Sequence, residues 1–416
     1  MKKILTFILL TASVTLSSPA QSVALYTKSG LTVLATADEA GEMIVSGGRI
    51  SMGQEVFDIA DLDSMTLIDS NFDPQLVGVD FDGDKSRLVV PLSLMQYLTI
   101  EKDGAYVTLT STAMADPEII YSLRGKTANG GFLLNGDYKC GVILNGVDIT
   151  SQRGAALRID NGKRIDIELA DNTVNNFTDC RDGLQKACFH VKGHPEFKGH
   201  GTLNIIGNTA HAYKSGEYTL LKRSTGKINI LSAVNDAMHI GQYFEMRGGQ
   251  IDIKPQVKGD GIQVEKDLDP LKENNGMLFL DSGIVNITLN SDDVDAIKCD
   301  STFTCNGGIY NLTVTGSASK GINVPYDAHL FAVTSTPEFN ITASGGYLVE
   351  LGDTKRSACF KVDGNFYFHA GIIKANATGD KARGLRVGLD YYYVPAKTQL
   401  IPNTPSVKGA MRVMAE

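Results

Sequence analysis

Gly226-Lys-Ile-Asn-Ile followed by Asp236-Ala-Met, then Gly249-Gln-Ile-Asp-Ile followed by Asp260-Gly-Ile, is one phrase spoken twice. It returns as Gly283-Ile-Val-Asn-Ile with Asp295-Ala-Ile, and as Gly308-Ile-Tyr-Asn-Leu with Lys320-Gly-Ile. Each unit is a glycine, a strand alternating apolar and polar residues, and a small polar turn that ends in an apolar residue. The turn follows its glycine by 10, 11, 12 and 12 residues. Short strands recurring about every two dozen residues are the signature of a solenoid, because one unit cannot bury its apolar face without its neighbours. The expected fold is all-β, a right-handed single-stranded parallel β-helix.

Outward from this stretch the rhythm continues. Tyr106-Val-Thr-Leu-Thr, Val142-Ile-Leu-Asn-Gly-Val-Asp-Ile-Thr and Arg164-Ile-Asp-Ile-Glu-Leu alternate at period two with no room for crossover helices. Asn172 to Gly201, with two cysteines and several histidines, interrupts the register and is expected to leave the coil as a surface loop. The phrase resumes as Gly346-Tyr-Leu-Val-Glu-Leu before Ser357-Ala-Cys-Phe, and as Gly371-Ile-Ile-Lys-Ala before Arg383-Gly-Leu. Residues 98–390 then hold roughly twelve coils at about 24 residues each. Residues 21–97 read as a small β element and connection, and 391–416 as a C-terminal tail or cap. Residues 1–20, with Lys2-Lys3, an apolar run from Ile4 to Val14 and Ser18-Pro19-Ala20, read as a signal peptide. The protein is therefore expected in the periplasm or outside the cell. No further apolar stretch has the length of a membrane span.

Composition narrows the function. The chain of 416 residues carries a net charge of −8, which opposes nucleic-acid binding because phosphates need a basic field. There is no tryptophan, which argues against a flat platform for crystalline cellulose and favours single acidic chains. Six cysteines in an exported chain raise the question of disulfides. Cys299 and Cys305 bracket a short loop suited to a local bridge, and the competing reading makes all six small buried core residues.

If the register holds, Asp236, Asp260 and Asp295 stack about 4.8 Å apart, one per coil. Carboxylates so placed repel unless neutralised. Calcium, which takes six to eight oxygens, is one solution, with Asp292 and Asp293 beside them and Glu265, Asp267 and Asp300 available to complete its shell. Alternatively the aspartates cap turns by accepting backbone N–H bonds, and Lys320 neutralises the column as an ion pair. Lys258, Lys298, Lys320 and Arg383 line the same neighbourhood and are candidate contacts for uronate carboxylates. Tyr391, in the run Tyr391-Tyr392-Tyr393, is a candidate sugar contact or a cap of the core. His194, His200, His211 and His239 are spaced too irregularly to suggest zinc.

Leu144-Asn-Gly-Val-Asp-Ile-Thr, Gly162-Lys-Arg-Ile-Asp-Ile-Glu-Leu-Ala-Asp-Asn-Thr, Gly199-His-Gly-Thr-Leu-Asn-Ile and Lys258-Gly-Asp-Gly-Ile-Gln-Val-Glu form a recognisable set. With them, the stretch from about Ile100 to Asn323 resembles the bacterial carbohydrate-binding β-helix family, whose fold is like that of pectate lyases. The resemblance implies binding of pectin-like, acidic or cellulosic plant cell-wall polysaccharide, with calcium at the Asp-Gly-Ile turns. Only Asp260-Gly-Ile keeps that turn complete. Phe57-Asp-Ile-Ala-Asp-Leu-Asp-Ser-Met is similar to the final strand of a short leader on exported Bacteroidetes proteins. The expectation is a non-catalytic, calcium-dependent polysaccharide binder. The alternatives are a pectate-type lyase, with Lys320, Lys298 or Arg383 as base, and a structural or adhesion solenoid without a specific ligand.

Overall fold

The computed structural model describes residues 22–41, 43–69 and 71–415. The expected signal peptide lies outside the described residues. Strand dominates, with two four-residue helices, Ala37–Ala40 and Leu92–Met95. The chain divides into two compact units. One comprises residues 22–76 with Leu88–Gln96, and the other Val77–Arg87 with everything from Tyr97 onward.

In the smaller unit, Ser22–Thr27 pairs antiparallel with Leu31–Thr36 on one side and Leu62–Ile68 on the other. Ile44–Ser46, Arg49–Met52 and Glu55–Asp58 form a three-stranded meander. Alternation puts Val23, Leu25, Val33 and Ala35 into one core with Ala40, Met52 and Leu92. Thr36 caps Ala37–Ala40 by a reciprocal pair: its hydroxyl accepts from the Glu39 N–H, and the Glu39 carboxylate accepts from the Thr36 N–H.

The larger unit is a parallel β-helix of three ladders. The first ladder belongs to a 13-stranded sheet, opened by Leu98–Asp103 lying antiparallel to Ala105–Ser111. The other strands are parallel, one per coil. Tyr213 pairs with Met238 and Met238 with Ile262, steps of 25 and 24 residues. The second ladder includes His194–Lys198, Thr219–Leu221 and Phe244–Met246. The third includes Thr202–Ile206, Lys227–Ser232, Gln250–Ile253, Ile284–Leu289 and Ile309–Val314. The apolar halves of the repeated phrase, such as Ile228 and Ile230 or Val285 and Ile287, are buried to within 1% of full exclusion from solvent. The polar halves face out.

The glycine that opens each phrase forms the corner into the third ladder, where backbones of successive coils nearly touch. A Cβ on Gly226 would stand 2.2 Å from the Gly201 carbonyl oxygen. At Gly283, φ is +103° and a Cβ would lie 2.7 Å from the Gly249 oxygen. Only glycine relieves both the contact and the backbone strain.

Four expectations are corrected. Asn172 to Gly201 is not a loop but a coil, with strands Val174–Thr178, Ala187–Val191 and His194–Lys198 in the three ladders. Its Phe177, Phe189 and Phe197 are fully buried, which holds it in register without the repeated phrase. Gly346 does not open a coil. Glu338–Ala343 takes the third-ladder place, and Tyr347–Glu350 with Asp353–Arg356 forms a separate two-stranded hairpin. Past residue 390, Tyr391–Tyr393, Thr398–Ile401 and Met411–Val413 continue the ladders instead of forming a tail. Finally, Cys299 and Cys305 are not bridged: all six cysteines are buried free thiols. Cys299 lies in a first-ladder strand and Cys305 in a second-ladder strand, and their thiols donate to the carbonyls of Ser301 and Gly307 respectively.

Candidate functional site

The turn before each first-ladder strand stacks as the repeat requires. Asp295 pairs with Lys320, Lys320 with Ala358, and Ala358 with Arg383. Running the same register back places Asp260 one coil before Asp295, then Asp236, then His211. Asp236, Asp260 and Asp295 are each 8% exposed or less.

Each carboxylate reaches forward to the next coil. Asp236 Oδ1 accepts from the Asp260 N–H at 2.9 Å, and Asp260 Oδ1 from the Asp295 N–H at 2.7 Å. Asp295 Oδ2 accepts from Asn323 Nδ2 at 2.7 Å. The remaining oxygens face cations or imidazoles. Asp236 Oδ2 lies 2.9 Å from His239 Nδ1 and 3.2 Å from His211 Nδ1. Lys298 Nζ is 3.4 Å from Asp260 Oδ2, and Lys320 Nζ is 3.5 Å from Asp295 Oδ1.

Burial raises the Asp236 carboxyl, but the adjoining His211 and His239 imidazoles outweigh it and hold the group below the usual carboxylate range. Asp260 goes the other way. Burial and the neighbouring Asp295 charge push it up to about 6, against the pull of Lys298. Burial lowers Lys298, yet the Asp260 and Asp295 carboxylates raise it further, which opposes a role as base.

This donor pattern is turn chemistry, and the column does not fit a calcium shell. Calcium needs six to eight oxygens. Here three of the six carboxylate oxygens are committed to N–H donors, and ammonium groups stand at two of the others. Asp292 and Asp293 lie on the adjoining loop. Asp292 accepts from the Ser317 N–H at 2.6 Å, and Asp293 sits between Lys320 at 3.3 Å and Lys355 at 2.8 Å.

The candidate sugar contacts scatter. Lys298 and Lys320 are tied to the column, and Lys258 is exposed on the turn before Asp260. Tyr391 points inward, 3% exposed and stacked 5.5 Å from Phe366, so it serves the core and not a ligand. Its neighbour Tyr392 faces out and stacks on Tyr367 at 4.8 Å, which stacks on His329 at 4.5 Å. These rings cover one another's faces and offer only edges to the outside.

Arg383 lines a groove of about 810 Å³ along the third ladder, together with Asn311, Asn340, Thr342, Lys374 and Pro402. That volume suits an oligomeric ligand segment. The polar rung inside it is an amide ladder. Asn340 Nδ2 donates to Asn311 Oδ1 at 2.9 Å, and Asn311 Nδ2 to Asn286 Oδ1 at 2.8 Å. Asn311 has a second N–H left for a ligand, whereas the Asn340 amide also bonds Glu338. Arg383 has no carboxylate partner among the described residues. Burial lowers its pKa, and the Arg356 and Arg386 charges lower it further.

The four histidines, spaced too irregularly in the sequence to suggest zinc, include two that the fold brings together. Among the described residues, His211, Asp236 and His239 are the one group of three whose ligand atoms gather within 4.8 Å of one another. The coil period brings them together: His211 stacks under Asp236, and His239 lies three residues beyond it in the strand Met238–Ile240. A search for histidine one coil before an acidic turn would have found the pair.

Among proteins of known sequence, one from Acetivibrio thermocellus called "Carbohydrate-binding domain-containing protein" is 27% identical over 116 residues, 26% of this chain. That match spans 40% of the relative's own length. Among solved structures, a "polysaccharide lyase-like protein from C. thermocellum", a gadolinium derivative, superposes with a TM-score of 0.48 at 23% identity. It covers 59% of this chain and 93% of the other. Residues 103–384, well over half the chain and nearly all of its coils, match the family described as "Carbohydrate-binding domain-containing protein", and the chain belongs to that family.

Proposed function

We propose that this protein binds an acidic polysaccharide of the plant cell-wall type, without cleaving it, along the third-ladder groove. The observation that carries the proposal is Arg383. It is a guanidinium without a carboxylate partner among the described residues, in a groove whose polar lining is amides, hydroxyls and Lys374, itself paired with Glu338, and whose apolar lining includes Leu312, Ile341, Leu385 and Ile401. A uronate chain supplies what Arg383 lacks, because a carboxylate meets guanidinium by paired charge-assisted hydrogen bonds. The overall charge of −8 opposes an anionic chain at long range, so recognition depends on this local cation. The amide ladder hydrogen-bonds the sugar hydroxyls. Calcium is not required in this reading, and Lys298 and Lys320 act in the acidic column instead of as bases. Export goes with the proposal, since polymeric wall glycan is met outside the cytoplasm.

Titration calorimetry with oligogalacturonide in the presence of EDTA tests it. Wild type binds, and Arg383→Gln weakens binding about 10- to 100-fold, the value of a hydrogen bond to a charged group. Equal affinity in Arg383→Gln, or loss of wild-type binding in EDTA, overturns the proposal. Rising ultraviolet absorbance from unsaturated product would assign lyase chemistry instead.

A further inference from the structure

We propose that His211, Asp236 and His239 form a site for one divalent transition-metal ion of the zinc class, separate from the glycan groove. Their side chains are 11%, 8% and 9% exposed. The first observation is the convergence of His211 Nδ1, His239 Nδ1 and Asp236 Oδ2 within 4.8 Å. The second is that His211 Nδ1 is buried with no hydrogen-bond partner, although Asp236 Oδ2 lies 3.2 Å away. Two ring nitrogens are thus aimed at one carboxylate oxygen, and one of them lacks the alignment to donate to it.

The surroundings are arranged as those of a metal ligand set. His239 Nε2 is 3.0 Å from Glu265 Oε2, and Gln263 Nε2 holds the other Glu265 oxygen at 3.2 Å. A carboxylate on the far nitrogen fixes the tautomer that leaves Nδ1 free as a lone pair, the usual partner of a metal-bound histidine. Carboxylates thus flank His239 at both ring nitrogens, Asp236 at Nδ1 and Glu265 at Nε2. An ion takes the place of the Nδ1 proton and uses the idle His211 nitrogen as well. The other Asp236 oxygen is anchored by the Asp260 N–H at 2.9 Å, so the ligand cannot swing away. Backbone bonds from Ala212 N to Asp236 O and from Ala237 N to Asp260 O hold the three coils in register.

The donor set selects the ion. Two imidazoles and one carboxylate suit zinc and its neighbours, whereas calcium takes oxygen ligands almost alone. Three protein ligands leave a coordination position for water.

Calorimetry of the chelator-stripped full chain with zinc chloride tests the site. One equivalent binds, with proton release seen as a buffer-dependent enthalpy. Either His211→Ala or His239→Ala weakens zinc binding 100-fold or more, and Glu265→Gln about 10- to 100-fold. His200→Ala, whose exposed ring pairs with Asp171 away from the cluster, leaves zinc affinity unchanged. Calcium chloride does not compete. A second measurement, independent of how the histidine variants fold, uses wild type alone: zinc protects His211 and His239, but not His200, from diethyl pyrocarbonate. Absence of zinc heat in wild type, unchanged affinity in the two histidine variants, or equal modification with and without zinc overturns the site.

Discussion

Replacing Phe189 by alanine decides whether residues 172–201 are a working coil. The ring is fully excluded from solvent. It meets Phe177 edge-on at 5.3 Å, Tyr213 at 5.9 Å and Phe197 at 6.3 Å, so residues of both flanking ladders and of the next coil close around it. Deleting a buried phenylalanine costs about 3–5 kcal/mol, the cavity included. Three aromatic partners, each worth about 0.5–1.5 kcal/mol beyond area, put this site in the upper part of that range, near 4–5 kcal/mol. With a urea slope of about 3 kcal/mol/M, the unfolding midpoint falls by about 1.3–1.7 M. Far-UV circular dichroism in urea measures it, and Leu184→Ala, at a fully exposed turn position, serves as the control. A Phe189→Ala change within about 0.5 kcal/mol, the range of surface substitutions, refutes the coil assignment.

Other outcomes follow from the column and the corners. Asp236 is held below its unfolded pKa, so its stabilisation is present above about pH 4 and drains as pH falls below that. Asp260 has the opposite sign. Its pKa is raised, so its contribution is complete below about pH 4 and is lost as pH rises through about 6. Asp260→Asn therefore flattens the decline in urea midpoint between pH 4 and 6, and an unchanged slope counts against the assignment. Gly283→Ala, at positive φ and 2.7 Å from a carbonyl, lowers stability by at least about 1–3 kcal/mol in the same assay. The thiols of Cys299 and Cys305 are pushed up to about 12 by burial, so they resist a thiol reagent until the chain unfolds. Reductant leaves the melting curve unmoved, and a drop in melting temperature with reductant would restore the bridge.

Sequence alone carried the solenoid because the phrase repeats both of its physical requirements, a glycine where backbones touch and an apolar alternation at period two. It also carried the stacking of Asp236, Asp260, Asp295 and Lys320, since the same place in each repeated phrase becomes adjacency between coils, whatever the length of the loop between them. It failed where one requirement was met by other means. The coil around Phe189 uses large rings in place of the phrase, whereas Gly346 carries the phrase into a hairpin. Alternation fixed that two of Tyr391, Tyr392 and Tyr393 share a face but not which face is inside, and the pairing of Tyr391 with Phe366 settles that. His211 and His239 stayed hidden because their partnership spans a coil boundary, a separation of 28 positions that looks arbitrary until the period is known.

The constant rise per coil gives the molecule a graduated scale. Groups at matching turns stand about 4.8 Å apart however far apart they are in the chain. Gaining or losing one coil therefore lengthens or shortens the outer faces by one graduation and leaves the interior alphabet of isoleucine, valine and phenylalanine unchanged. Sideways growth is separate: the 35-residue step from Ile262 to Ile297 and the 38-residue step from Ile322 to Phe360 add surface between coils without disturbing the graduation. Reach along a polymer and decoration around it can thus be altered independently in such a chain.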